Sequence, residues 1–444
     1  MKATIIGIGE SGRAAALFLK KTGADVYATD SGNSTHLQNT AQELRSCGIN
    51  VELGKHSKDF IKDSKLVVVS PGVGDESPGL KFAKELNKEI ISEIELGFRH
   101  CRGKIIAVTG TNGKSTTVTL IAQILKDAGK DVVLCGNIGK AFCSKIEKIS
   151  ENTIVVLEVS SFQLKFIKTF KPHISVILNI SQNHLDAHSD LENYFSAKRR
   201  IYQYQDSDDY LVLNYDDINL KNLKNKPDSK VLFFSINEKV KGAFAKESRL
   251  FLNIETLQEI SKISTLKLTQ PHNIGNFLAA SICASLFGVP TETIKNTIAT
   301  FKGLKHRIEL VATINDVDFI DDSKATTVDA TVAALRSRGE NIILIAGGRN
   351  KGSNFRLAGE EIKKRVKTLI LIGEATNQMK EELSGSTETT QAHDMNEAVN
   401  IASKLAQAGD TVLLSPMCAS FDMYKDYKAR GDAFVAAVNT IEKK

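Results

Sequence analysis

The stretch Ile105-Ile106-Ala107-Val108-Thr109-Gly110-Thr111-Asn112-Gly113-Lys114-Ser115-Thr116 decides how this chain is read. An apolar run ends at Thr109, glycines punctuate the next turn, and Lys114 opens a helical pattern that continues to Ala128. A buried strand, a glycine turn and a helix N-terminus, in that order, bring backbone N–H groups onto one point, and the helix adds a field that favours an anion. A lysine at this place reaches the β- and γ-phosphates of a nucleotide, and the Ser115 hydroxyl suits Mg²⁺. The usual pattern has another glycine three positions before Gly110, where this chain has Ala107, so the loop is shorter than the common one. A chance Gly-Lys-Ser turn would lack the strand before it and the helix after it.

The same alternation extends both ways. Upstream, residues 3–8 and 25–29 predict strands flanking a helix at 11–22, and Leu66-Val-Val-Val69 predicts another strand. Downstream, strands are predicted at 132–135, 154–158, 174–180 and 210–213, then a polar, irregular stretch at 215–265 that adds antiparallel strands, a helix at 273–287 and a linker at 299–305. A third set follows, with strands at 317–321, 341–346, 368–372 and 411–415 and a last helix at about 422–442. Short apolar strands alternating with helices mean parallel α/β sheets. The expectation is three tandem α/β domains: a Rossmann-like domain at 1–95, a central phosphate-loop domain with a parallel sheet at 96–302, and a Rossmann-like C-terminal domain at 303–444.

Composition narrows the classes. The chain has 444 residues, 42% apolar and 25% charged, too long for one ordinary core and typical of a globular protein. The formal charge of +6 is spread along the chain and makes no nucleic-acid footprint. Six cysteines without a C-x-x-C pair fit neither a zinc site nor a disulfide frame, and read as small buried residues in a reducing compartment. The first residues are interrupted by glycines and Glu10, unlike a signal peptide, and no run approaches the roughly 18 apolar residues of a membrane span. The expected location is the cytoplasm, with no membrane partner.

Two further constellations carry chemistry. Gly7-x-Gly9-x-x-Gly12 follows the first strand, and Asp30 ends the second. That is the fingerprint of a dinucleotide site, and a nicotinamide cofactor is one legitimate reading; physically it says only that a diphosphate fits the helix N-terminus. After the phosphate loop, Glu158 closes an apolar strand, Asn183-His184-Leu185-Asp186 follows another, and Lys198 lies ten residues beyond His188. Ligands of open parallel sheets bind outside the carboxyl ends of the strands, where Thr109, Glu158 and His184 all fall. Ser115 and Glu158 offer the oxygen ligands Mg²⁺ prefers. His184 alone would be an ordinary loop histidine, and Lys198 alone a solvated helix lysine.

Taken in order, these segments resemble the Mur ligase family, cytoplasmic enzymes that add amino acids to the UDP-linked peptidoglycan precursor. The likeness runs through Val108–Thr116, Leu157-Glu158-x-Ser160-Ser161-Phe162-Gln163-Leu164, Asn183–Asp186, Lys198-Arg199-x-Ile201-Tyr202, His272-Asn273-x-x-Asn276, His306-Arg307-x-Glu309 and Asp321–Thr326. Leu414-Ser415-Pro416-x-Cys418-Ala419-Ser420-Phe421-Asp422 and Tyr427-x-x-Arg430-Gly431-Asp432-x-Phe434 resemble the branch that joins D-glutamate to UDP-N-acetylmuramoyl-L-alanine.

The resemblance implies roles. Gly110, Thr111, Asn112, Gly113, Lys114, Ser115 and Thr116 would hold ATP, joined by Asn273 at the adenine and by Arg307 and Asp322 on closure. Ser115 and Glu158 would hold one Mg²⁺, and His184 with a carbamylated Lys198 a second; Lys114, Glu158, His184 and Lys198 form the implied catalytic set. Lys324, Thr326, Lys351, Ser420, Phe421 and Tyr427 would bind D-glutamate. Gly9, Glu10, Ser11, Asp30, Ser31 and Asn137 would bind the UDP precursor in place of NAD. Arg349 departs from an acidic residue of the family, and the chain lacks the arginine expected after Asp30. The implied partners are these small molecules, acting on a monomer. The rival readings are an NAD-dependent oxidoreductase, a nucleotide-gated binding protein, and another Mur-type or folylpolyglutamate-type ligase.

Overall fold

The computed structural model describes residues 1–180, 191–223, 227–350 and 352–441. Within them the chain divides into two compact units, Met1–Phe301 and Lys302–Lys444. The first unit holds two sheets and the second holds one, so three α/β regions run along the chain as the alternation predicts. The expected boundary near residue 95 falls inside the first unit, between the last strand of its first sheet and the first strand of its second.

The first sheet is parallel, with β1 (Lys2–Ile6), β2 (Asp25–Asp30), β3 (Asn50–Leu53), β4 (Leu66–Val69) and β5 (Glu89–Ser92) in the order β3-β2-β1-β4-β5. The second contains β6 (Lys104–Thr109), β7 (Val132–Gly136), β8 (Ile154–Glu158), β9 (Ile174–Ile177), β10 (Tyr210–Asn214), β11 (Lys230–Ser235), β12 (Gly242–Lys246), β13 (Arg249–Asn253) and β14 (Leu257–Lys262). Its order is β14-β13-β12-β11-β10-β9-β6-β8-β7. The stretch expected to be irregular therefore continues the sheet. β11 pairs parallel to β10 and β12 parallel to β11, and only β13, paired with β12 on one side and β14 on the other, runs antiparallel. In the second unit β15 (Glu309–Ile314), β16 (Val317–Asp321), β17 (Ile342–Gly347), β18 (Val366–Ile372), β19 (Glu388–Gln391) and β20 (Thr411–Leu414) lie in the order β15-β16-β20-β17-β18-β19. All its pairs are parallel except β15 with β16.

β8 and β9 are buried along their whole length, and β6 is buried after Lys104, as strands covered on both faces must be. The helix Lys114–Asp127 covers β6, and the apolar helix Pro271–Leu286 packs on it. No described helix is long and apolar enough to cross a membrane. All six cysteines are free; Cys135, Cys143, Cys283 and Cys418 are buried, as expected, while Cys47 is exposed.

One buried carboxylate joins the two sheets of the first unit. Glu95, in the helix Glu93–His100 that follows β5, is fully buried. It accepts the backbone N–H groups of Lys168 (2.9 Å), Thr169 (3.1 Å) and Phe170 (3.0 Å), the Thr169 hydroxyl (2.6 Å) and Arg99 Nε (2.9 Å). Burial acts to raise its pKa, but these donors outweigh burial and leave the carboxyl below its ordinary value. A depressed folded-state pKa stabilises the fold above the ordinary glutamate range near about 4.3, and the contribution is lost as pH falls through the folded value. Glu95→Ala leaves several buried N–H groups without an acceptor and is expected to cost about 3 kcal/mol in urea unfolding at neutral pH. A loss below about 1 kcal/mol would show that those amides find other partners.

Candidate active site

The phosphate loop sits at the carboxyl end of β6, between β8 and β9. Gly113 caps the helix in the left-handed region, at φ 83°, and a Cβ there would lie 2.5 Å from Asn276 Oδ1. Glycine is thus required twice, by the backbone and by the asparagine that approaches from the helix Pro271–Leu286. Asn179 fixes the other side. Its carbonyl accepts from Thr111 N (3.0 Å), its Oδ1 accepts from Asn112 N (2.8 Å), and its Nδ2 donates to Asn112 O (3.1 Å). Lys114 Nζ donates to the carbonyls of Gly110 and Thr111, both at 2.8 Å. Ser115 is buried at the start of the helix, and Thr116 follows it.

Lys198, on the helix Leu191–Arg199, reaches the same turn and donates to Gly110 O at 3.0 Å. Two lysine nitrogens therefore share one carbonyl oxygen. Lys198 is only 2% exposed. Burial first, and the Lys114 charge second, lower its pKa to about 7.

Glu158 ends β8 on the other side of the loop, 2% exposed. Its Oε1 accepts from Asn137 Nδ2 at 2.9 Å, and Asn137 N donates to its backbone carbonyl at 2.9 Å. Its Oε2 is buried without a hydrogen-bond partner among the described residues. An orphaned carboxylate oxygen in the interior is costly unless a cation or a donor meets it. The donor set fits a hard divalent ion, with Glu158 and Ser115 as oxygen ligands beside a phosphate loop. His184 lies outside the described residues.

The residues expected at the nucleotide precursor come together. Gly9, Glu10, Ser11, Asp30, Ser31 and Asn137 all line one cleft of about 520 Å³, shared by the glycine turn of the first sheet and the β7 turn of the second. Gly12 lets the helix Glu10–Lys21 approach β1, since a Cβ there would lie 1.8 Å from Gly7 O. The helix begins at Gly9 without a side-chain cap. Asp30 holds the turn itself: Oδ2 accepts from Ile8 N at 2.9 Å and Oδ1 from Gly32 N at 2.8 Å. Among the described residues, no lysine or arginine lines this cleft.

Asn273 lies at the start of its helix, where its Nδ2 donates to Gln270 Oε1 at 2.9 Å. In the second unit Asp322 is buried after β16, accepting from Ser415 Oγ (2.9 Å) and Ile308 N (3.3 Å). Burial raises its pKa to about 7, opposed by the Ser415 bond and the charge of Arg307. Lys324 and Thr326 follow in the same turn, Ser420 and Phe421 in the turn after β20, and Tyr427 opens the helix Tyr427–Ile441. Ser420 is buried and Phe421 is 56% exposed. Lys351 lies outside the described residues. Arg349, the departure from the family pattern, forms a two-pronged pair with Glu374 at 2.9 and 2.7 Å.

Arg430, given no role from the sequence, organises these turns. It is 1% exposed, and its guanidinium donates to Ser323 Oγ (3.0 Å), Ser323 O (2.9 Å), Cys418 O (3.0 Å) and Gly347 O (3.4 Å). Burial lowers its pKa to about 10. One planar fork thus ties together the turns at the carboxyl ends of β16, β17 and β20, where a ligand of this sheet would bind.

Comparisons with known proteins follow the same three regions. Models of the Mur ligase MurD-like N-terminal domain, the Mur ligase middle domain and the Mur ligase glutamate ligase domain match residues 1–92, 108–284 and 306–418. The UDP-N-acetylmuramoylalanine--D-glutamate ligase of Caldanaerobacter subterraneus subsp. tengcongensis is 40% identical over 439 residues, 98% of this chain and 97% of that protein. That of Clostridioides difficile is 38% identical over 446 residues, 99% of each. Among solved structures, the UDP-N-acetylmuramate-alanine ligase MurC of Thermotoga maritima superposes with a TM-score of 0.55 at 21% identity, covering 99% of this chain and 100% of that one, a likeness of fold alone. With relatives of such identity along nearly its full length, the chain belongs to the Mur ligase family.

Proposed function

We propose that this protein uses ATP to join D-glutamate to UDP-N-acetylmuramoyl-L-alanine in peptidoglycan synthesis. The observation that carries the reading is the juxtaposition at β6 and β8 of a phosphate loop with the unpaired Glu158 oxygen, in a chain about 40% identical to ligases of that name. The terminal carboxylate of the precursor attacks the γ-phosphorus, ADP leaves, and an acyl phosphate forms. The amine of D-glutamate then attacks the acyl carbon, phosphate departs, and the nitrogen loses its proton to give the amide.

The loop amides and Lys114 orient the triphosphate and offset its charge, so most of the catalysis is positioning and electrostatics. Ser115 and Glu158 would hold one Mg²⁺, and His184 and a carbamylated Lys198 a second; bound there, the ions supply charge neutralisation at the transferring phosphoryl group. We assign Asn273, Arg307 and Asp322 to the nucleotide, and Lys324, Thr326, Lys351, Ser420, Phe421 and Tyr427 to D-glutamate. The cleft of the first unit takes the UDP end of the precursor. We divide the chain functionally into 1–95, 96–302 and 303–444, and place it in the cytoplasm as a monomer.

Phosphate release with UDP-N-acetylmuramoyl-L-alanine across a panel of D- and L-amino acids tests the assignment. D-glutamate is expected to stand well above every other acid. Release driven by an L-amino acid, or no amino-acid-dependent release, overturns it.

A further inference from the structure

Among the described residues, His56 is the one lining residue of the UDP cleft whose side chain is able to become cationic. It lies in the turn after β3, and its ring packs against the helix Pro78–Glu85, where a Cβ on Gly79 would lie 3.0 Å from His56 Cγ. Its Nδ1 is 2.9 Å from Thr29 Oγ1, at the carboxyl end of β2. The Thr29 hydroxyl has a single hydrogen and lies within bonding distance of two pure acceptors, Lys55 O at 2.9 Å and Glu52 Oε1 at 3.1 Å. Glu52 is committed as an acceptor, because Ser57 N donates to the same Oε1 at 2.8 Å. Thr29 therefore gives its hydrogen away and accepts from His56. That fixes the tautomer: Nδ1 carries the hydrogen and Nε2 carries the lone pair. Nε2 has no hydrogen-bond partner among the described residues.

A lone pair calls for a donor. A diphosphate diester has none, whereas the nucleoside offers the uracil N–H and the ribose hydroxyls. Position agrees, because in doubly wound sheets the diphosphate lies at the helix that follows β1 and the nucleoside extends past the end of β2. We infer that His56 accepts a hydrogen bond from the nucleoside of the UDP-bearing substrate and makes no contact with its diphosphate. His56 is then a specificity residue on the side of the cleft where the expected arginine is missing. The inference rests on the proposed substrate.

Burial lowers the His56 pKa, while the facing carboxylates of Asp30 and Glu52 act to raise it. Lys55 pairs with Glu52 at 3.9 Å, and the adjoining helix meets the ring with Gly79. The ring is thus mainly neutral at neutral pH, and acidification destroys the acceptor.

Calorimetric binding of UDP-N-acetylmuramoyl-L-alanine to the full-length protein tests this, since its diphosphate diester does not titrate between about pH 5 and pH 8. His56→Ala is expected to bind about tenfold more weakly at about pH 8, with kcat unchanged and KM for the precursor raised. Wild type is expected to lose affinity as pH falls through the histidine range, and His56→Ala to lose none. The wild-type pH series stands even if the variant disturbs its loop. Equal affinity of variant and wild type, or tighter binding by wild type in acid as a protonated ring meets the diphosphate, overturns the inference. Failure of wild type to bind the precursor at all overturns the proposed substrate instead.

Discussion

Lys114→Ala is expected to lower D-glutamate-dependent phosphate release by about a hundredfold to a thousandfold, and amide formation with it. The two fall together if Lys114 serves the first chemical step, as proposed, because both products depend on it. Its Nζ lies on the carbonyls of Gly110 and Thr111, so it stands over the turn whose amides meet the phosphates. Alanine removes a charge aimed at the place where the transferring phosphoryl group develops its own. Binding of the UDP precursor should be unchanged, because no Lys114 atom lines that cleft. The comparison of rate with precursor affinity therefore separates loss of chemistry from loss of fold. Amide formation at the wild-type rate in this variant would falsify the assignment of the loop to ATP.

The physical basis of that prediction is legible in the sequence. β6, β8 and β9 are buried on both faces, so their sequences are unbroken apolar runs, and the residues that end them stand out as polar. Thr109 and Glu158 are visible for this reason. β3, β5, β15 and β19 leave no clear mark in the sequence because each is a sheet edge. Asn50-Val-Glu-Leu53 has a single buried position and Glu388-Thr-Thr-Gln391 has none, so neither presents an apolar run. The 215–265 stretch shows its expected antiparallel pairing, but no long apolar run marks β12, β13 or β14, since the sheet nears its edge there and Leu257–Lys262 is largely exposed over its first half.

Side-chain roles were readable where one residue type has one chemistry, as for Lys114. They were not readable where function depends on distant partners. Arg430 looks like any arginine of an amphipathic helix, and only the fold shows that its guanidinium collects carbonyls from three separate turns. His56 is similar, since its Nδ1 meets the Thr29 hydroxyl at the end of β2, a partner that its own turn does not reveal. A short-range signal existed for Asn179: a polar residue directly after the β9 run, at the place where the phosphate loop needs a partner.

Lys198→Ala is expected to be nearly inactive, by about a hundredfold or more, and to regain part of its activity in a buffer containing a short carboxylic acid such as formate or acetate. An ammonium at this position conflicts with its surroundings. It is 2% exposed, it shares Gly110 O with Lys114, and the Lys114 charge opposes its own. With its pKa lowered to about 7, a large share of the side chain is the free amine at neutral pH. A free amine adds carbon dioxide, forming the N–C bond and releasing one proton, and the product is an anionic oxygen ligand. That exchange, as proposed, would turn repulsion into attraction: a carbamate would face the Lys114 ammonium favourably and would suit a divalent cation as an ammonium never does. Alanine would remove that proposed ligand but leave its space, which a small carboxylate would fill. Lys198→Arg keeps the cation and cannot be carbamylated, so it should be as inactive as alanine and should not respond to the acid. Full activity in unsupplemented Lys198→Ala would overturn the role of this residue. A rescue by formate that appears equally in Lys198→Arg would overturn the carbamate, because the arginine side chain still occupies the space the carboxylate must enter.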